Sequence, residues 1–119
     1  MTTPCVLVTE DDWIIGADLC ETVQEAGFHV EGPHPDISSA MLAFQKHKPD
    51  VAILDVHLGD GVVYALAQKL ADEQVPIIFH SGRFSIDEMR EVFPNALTLL
   101  KPCPPSDVIA AVNQVLQIP

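Results

Sequence analysis

The sequence predicts an α/β domain, a parallel sheet with helices on both faces. Three observations carry this. Short apolar runs alternate with longer amphipathic segments five times along 119 residues, the order that builds successive β–α units. The apolar runs are continuous instead of alternating, as strands covered on both sides are. No linker, repeat or low-complexity stretch divides the chain, so residues 1–119 read as one domain.

The elements follow in order. "CVLVT" (Cys5–Thr9) reads as a buried strand. "WIIGADLCETVQEAG" then places Ile15, Leu19, Val23 and Ala26 at helical spacing, with Asp12 positioned to cap the helix and Gly27 to end it. "FHVEG" is a weaker second strand, and "ISSAMLAFQKH" a helix turning Ala40, Ala43 and Phe44 inward. "VAIL" (Val51–Leu54) is the most hydrophobic strand; the helix after it sets Val63, Leu66 and Leu70 on one face. "PIIFH" (Pro76–His80) is the fourth strand. The segment after it is weakly helical, around Asp87–Phe93, and Pro94 stops it. "LTLL" (Leu97–Leu100) is the fifth strand, and a last helix begins near Pro105 with Val108, Val112 and Val115 inward.

Composition narrows the function. A net charge of −11 argues against nucleic acid, which selects basic patches, and against anionic membranes. Cys5, Cys20 and Cys103 form no CxxC pair and read as free thiols of a reducing compartment. The histidines show no zinc-site spacing. The N-terminus lacks a basic region before an apolar core, and no run reaches the roughly 20 apolar residues of a membrane span. A cytoplasmic location is the expectation.

The strand ends carry the chemistry. Glu10, Asp11 and Asp12 follow the first strand, Asp55 ends the third, Ser81 follows the fourth and Lys101 the fifth. Ligands of open α/β sheets sit at these carboxyl ends. If the first and third strands are neighbours, Glu10, Asp11 and Asp55 converge. Two carboxylates ~4 Å apart repel by about 4 kcal/mol at an effective dielectric near 20. Such a group calls for a hard cation that keeps its water, such as Mg²⁺. With Lys101 and Ser81 nearby, the cluster suits a phosphoryl group brought against a metal, with Asp55 as nucleophile. Each feature alone has a plain structural reading: an acidic helix cap, a turn, a solvated lysine. Trp13 beside the acids reads as packing, and Cys103 as a loop thiol.

"VLVTEDD", "VAILDVHLGDG", "PIIFHSG" and "LLKP", in this order across the chain, resemble the receiver domain of two-component response regulators. The resemblance implies a flavodoxin-like, doubly wound five-stranded sheet in the order 2-1-3-4-5. It implies Asp55 as phosphoacceptor and Glu10, Asp11, Asp55 and the backbone carbonyl of His57 as Mg²⁺ ligands. Ser81 is then the hydroxyl that follows the phosphoryl group, and Lys101 its positive partner, in a Lys101–Pro102 step usually cis. Such a domain catalyses its own phosphorylation and dephosphorylation without turning over an external substrate. Its implied partners are a histidine kinase or histidine phosphotransferase as donor and a downstream protein, the chain being a monomer or weak homodimer.

The chain departs from the common receiver in places. The loop after Asp55 is short, and the fourth helix is expected to be short or irregular. Thr98 stands where an aromatic residue usually rotates inward on activation. "PIIFHSG" is partly similar to a receiver subgroup with the motif Pro-Phe-x-Phe-Ala-Thr-Gly, often single-domain, with Ile77, His80 and Ser81 replacing Phe, Ala and Thr. Gly82 leaves the phosphoryl pocket open, and His57 and Arg83 are expected to flank the attacking water and set the phosphoryl lifetime. The segment Gly82–Ala96 is expected to switch order or position on phosphorylation. Stand-alone protein and excised module both stay open. Two other classes remain: an unphosphorylated pseudo-receiver acting as a binding module, and a phosphohydrolase. The latter wants an acid where His57 stands.

Overall fold

The structure, a computed structural model, describes residues 3–118. Met1, Thr2 and Pro119, the ends of the expected 1–119 domain, lie outside the described residues. The elements are β1 (Cys5–Thr9), α1 (Trp13–Glu25), β2 (His29–His34), α2 (Ile37–Lys46), β3 (Val51–Leu54), β4 (His57–Leu58), β5 (Gly61–Val62), α3 (Tyr64–Asp72), β6 (Ile77–Ser81), α4 (Arg83–Val92), β7 (Leu97–Leu100) and α5 (Pro105–Leu116). The main sheet is β2-β1-β3-β6-β7, and every neighbouring pair is parallel. Counting its strands along the chain, this is the doubly wound order 2-1-3-4-5.

Strand alternation sends successive side chains to opposite faces, and each face has its own core. Leu7, Ala52, Leu54 and Phe79 pack under α2, α3 and α4 with Phe44, Leu66, Leu70 and Met89. Val6, Val8, Val51, Ile53 and Ile78 pack under α1 and α5 with Leu19, Val23, Val108 and Val112. No described helix is long and apolar enough to cross a membrane.

The details depart from expectation in four places. First, α1 buries Gly16, Leu19, Cys20 and Val23, while Ile15 and Ala26 face outward. The helix is rotated because it lies close on β2: a Cβ at Gly16 would stand 2.9 Å from Cβ of Pro33. Second, β2 runs past Gly32 to His34. Gly32 takes φ +138°, and a side chain there would strike the Val8 carbonyl at 2.5 Å, so the β1–β2 register shifts at this point. Third, the loop after Asp55 folds into a small antiparallel hairpin, β4–β5. Fourth, α4 is a regular helix of ten residues, longer than expected. Ile86 and Met89 are buried and Phe93 packs on Phe79, ring centroids 5.8 Å apart. This i, i+3, i+7 stripe suffices for a helix whose other positions are exposed or only half-buried. It also corrects the expectation of a weakly helical segment around Asp87–Phe93.

Candidate functional site

The site forms where β1, β3, β6 and β7 end. Asp12 is committed to α1: its Oδ1 accepts from the backbone N–H of Ile14 and Ile15, both at 3.0 Å, as an N-cap carboxylate does. That leaves Glu10 and Asp11, just before the cap, free to face the sheet end. Gly16 keeps α1 clear of Glu10, whose Cβ lies 3.4 Å from the place a Gly16 side chain would occupy. The end of β3 is pinned to β1, because the Asp55 N–H is shared between the Thr9 carbonyl at 3.3 Å and the Thr9 hydroxyl at 3.2 Å. The Lys101 N–H donates to the Ser81 carbonyl at 2.9 Å, fixing β7 against β6. Lys101–Pro102 is cis.

Side chains from all four strand ends then meet. The Ser81 hydroxyl donates to Asp55 Oδ1 at 2.9 Å. Lys101 Nζ donates to Asp55 Oδ2 at 3.0 Å and to Glu10 Oε1 at 2.5 Å. Carboxylate oxygens of Glu10, Asp11 and Asp55 lie within 4.8 Å of one another. Glu10 and Asp55 are only 2% and 6% exposed, while Asp11 is open to solvent.

The electrostatics separate the two buried acids. Burial and the neighbouring Asp55 push Glu10 up to about 7, against the pull of Lys101. Burial would raise Asp55 too, but hydrogen bonding with Glu10, Lys101 and Ser81 and the Lys101 charge outweigh it and hold Asp55 below its ordinary value. Burial works against the Lys101 ammonium, yet its two acid partners raise its pKa. At neutral pH Asp55 is therefore an ionised carboxylate, oriented beside a fixed positive charge.

The residues fit a hard divalent cation on one specific ground. Glu10 Oε2 is a buried carboxylate oxygen without a hydrogen-bond partner, and an orphaned buried acceptor is costly unless something binds it. It belongs to a cluster whose acids outnumber the one ammonium within it. Oxygen donors of this kind, one of them open to water, suit Mg²⁺.

The remaining expected positions make no side-chain contact with the acids among the described residues. His57 is in β4 with its side chain exposed. Gly82, the residue before α4, has nothing within 4 Å of where a side chain would sit, and Arg83 beside it is exposed. Thr98 stands away from the acids; its hydroxyl accepts from Arg90 Nη2 at 2.9 Å. Two supports escaped the sequence reading. Thr9 is one. Asp60 is the other: it accepts from the N–H groups of Ile37 and Ser38 at 2.7 and 3.1 Å and from the Ser38 hydroxyl at 3.0 Å. It ties the β4–β5 turn to the start of α2, beside the cap Asp36. The Asp60–Gly61 pair was the only available sign of such a turn.

Residues 6–113 match the family model described as response regulator receiver domain. The chain is 33% identical over 112 residues to the transcriptional regulatory protein PdtaR of Mycobacterium tuberculosis, covering 91% of this chain and 54% of that protein. It is 32% identical over 90 residues to PrrA of the same organism, covering 74% of this chain and 38% of that one. The chain thus spans about half, or less, of these relatives' length. Among solved structures, a putative response regulator from Chloroflexus aurantiacus superposes with a TM-score of 0.85 over 98% of this chain and 99% of that one; at 22% identity it shows the fold alone. The response regulator PhyR of Brucella abortus superposes with a TM-score of 0.83 at 26% identity, over 98% of this chain and 49% of that one. With the family match spanning most of the chain and the sheet in the matching order, the chain belongs to the response regulator receiver domain family.

Proposed function

We propose that the chain is a phosphoacceptor receiver, phosphorylated on Asp55 in a Mg²⁺-dependent reaction that alters a partner-binding surface. One observation carries the reading. Ser81 and Lys101 each hold one oxygen of Asp55, while Asp11 and Glu10, the latter with one unpartnered buried oxygen, bring carboxylate oxygens within 4.8 Å of it. The donor in this reading is a phosphohistidine of a kinase or phosphotransferase, or a small acyl phosphate. An Asp55 oxygen attacks phosphorus, the P–N bond to imidazole or the P–O bond to the acyl group breaks, and an acyl phosphate forms on Asp55. Lys101 neutralises charge on the phosphoryl oxygens, and the Ser81 hydroxyl turns from Asp55 to one of them. Glu10, Asp11, Asp55 and the backbone carbonyl of His57 would hold Mg²⁺, which supplies further charge neutralisation on the transferring group. Gly82 leaves the approach open. His57 and Arg83, both exposed, are in this reading the pair that affects the water that later hydrolyses the product.

Incubation with acetyl phosphate and Mg²⁺ followed by intact-mass measurement tests this. The expected result is a gain of one phosphoryl group in the wild type and none in Asp55→Asn. An unlabelled wild type would instead mark a pseudo-receiver, and sustained turnover of phosphomonoesters a hydrolase.

A further inference from the structure

We propose that Asp60 is a positioning residue for the metal site: by fastening the tip of the β4–β5 hairpin to the start of α2, it holds the backbone carbonyl of His57 where Mg²⁺ can use it. This rests on the proposed function, which counts that carbonyl among the ligands.

The hairpin cannot hold itself in place. Its strands, His57–Leu58 and Gly61–Val62, are two residues each, and an isolated two-stranded hairpin is marginal at best in water. Its ladder nevertheless decides which carbonyl is left over. The Val63 N–H donates to the Val56 carbonyl at 2.9 Å. That bond flanks the His57–Val62 pair and makes it the non-hydrogen-bonded kind of antiparallel pair. His57 therefore turns its carbonyl away from β5, out of the open edge of the hairpin, two residues after Asp55. A carbonyl so placed can bind a metal without breaking the hairpin. Its aim depends on the angle at which the hairpin leaves β3.

Two anchors set that angle. Leu58 and Val63 are buried in the core shared with α2 and α3. At the tip, Asp60 accepts three hydrogen bonds from the first turn of α2: the Ile37 N–H at 2.7 Å, the Ser38 N–H at 3.1 Å and the Ser38 hydroxyl at 3.0 Å. The Ile37 bond, then those from Ser38, hold the Asp60 carboxyl below its ordinary value against desolvation. The bonds are thus charge-assisted, the stronger kind. The Gly59 N–H adds a longer tie to the Pro35 carbonyl at 3.3 Å.

Helix capping alone does not account for Asp60. Helix α2 has its own cap in Asp36, which takes the Ser39 N–H at 2.8 Å. An acid that reaches 23 positions back to a helix already capped serves the segment that carries it, and that segment holds His57. Asp60 is not one of the converging acids, so it acts on the metal through the hairpin.

Mg²⁺ titration of the full chain tests this. It is read by the emission of Trp13, which begins α1 directly after the acids, and by the carbonyl-carbon resonance of His57. In the wild type Mg²⁺ should move both. Asp60→Ala should raise the Mg²⁺ dissociation constant roughly tenfold, the lower end of what a metal site loses with an outer support. Asp60→Asn, which keeps one acceptor oxygen, should fall between, and it carries the test alone if Asp60→Ala does not fold. Asp36→Ala is the control: it strips an acceptor from the same helix turn, so it should lower the melting temperature in chelator yet leave the Mg²⁺ dissociation constant unchanged. An unchanged constant in the Asp60 variants, an equal loss in Asp36→Ala, or a His57 resonance that Mg²⁺ leaves unmoved would overturn the inference and leave the acids as the metal site. A wild type in which Mg²⁺ moves neither signal would overturn the proposed function with it.

Discussion

The acid cluster and helix α4 adjoin at the same rim of the sheet, yet they are held in opposite ways. Glu10 and Asp55 are buried and locked by Lys101 and Ser81 through contacts that join four strand ends. Helix α4 starts at Gly82 with no side-chain cap. Phe84 in its first turn is 81% exposed, and its polar ties, Arg90 to Thr98 and Tyr64 to Glu88, are exposed. What fastens α4 is the stripe of Ile86, Met89 and Phe93. The chemistry therefore sits on a rigid frame, while the neighbouring helix rests on a single apolar seam. Ser81 joins the two, being both a ligand of Asp55 and two residues from the start of α4. On the proposed function, a change at Asp55 would bias the position of α4 without reshaping the acids.

The sharpest way to break this contrast is to remove the lock. Lys101→Met deletes the one positive charge paired with Asp55 among the described residues, and the rate of acetyl-phosphate labelling should fall by about 10²-fold, the order seen when a preorganised electrostatic partner is lost. An unchanged rate, followed by mass spectrometry, would mean that the frame is not what activates Asp55. On the other side of the contrast, Met89→Ala should lower unfolding free energy by about 2–5 kcal/mol. Phe84→Ala in the same helix should change it by less than ~0.5 kcal/mol. Urea unfolding of the two variants decides this; similar losses in both would show that α4 is not held by its seam.

A finer probe uses pH on metal-free protein. The folded state holds Glu10 at about 7, above the ordinary carboxylate value of 4.5. Its stabilising contribution is therefore fully present below 4.5 and is lost as pH rises through 7. His80 works in the opposite sense: its lowered pKa gives a contribution present above its ordinary value and lost as pH falls. Comparing wild type with Glu10→Gln in the presence of chelator isolates the first effect. The melting-temperature advantage of the wild type should shrink steadily from pH 4.5 to 7, and a constant difference would contradict the assignment.

The two regions were unequally legible in the sequence. The strands and their terminal acids could be read because an apolar run that stops at a carboxylate is a local signal, as at Leu54–Asp55. The pairing of Lys101 with Glu10 could not be read from spacing, because those residues are 91 positions apart; only the strand order brings them together. Asp60 was missed for the same reason, since the helix start it ties down lies 23 positions upstream. In α1 the inward stripe was misplaced because a glycine, not an aliphatic residue, faces Pro33. Helix α4 looked weak because its apolar positions are few; that they fall on one face and meet Phe79 is a tertiary fact.

Hydrogen exchange with and without a beryllofluoride–Mg²⁺ phosphate mimic tests the central claim most directly. The account predicts that β1 and β3, which carry the acids, stay equally protected in both states, while protection in Gly82–Ala96 changes when the mimic binds. Equal protection of Gly82–Ala96 in both states, with the change appearing on another surface, would contradict it.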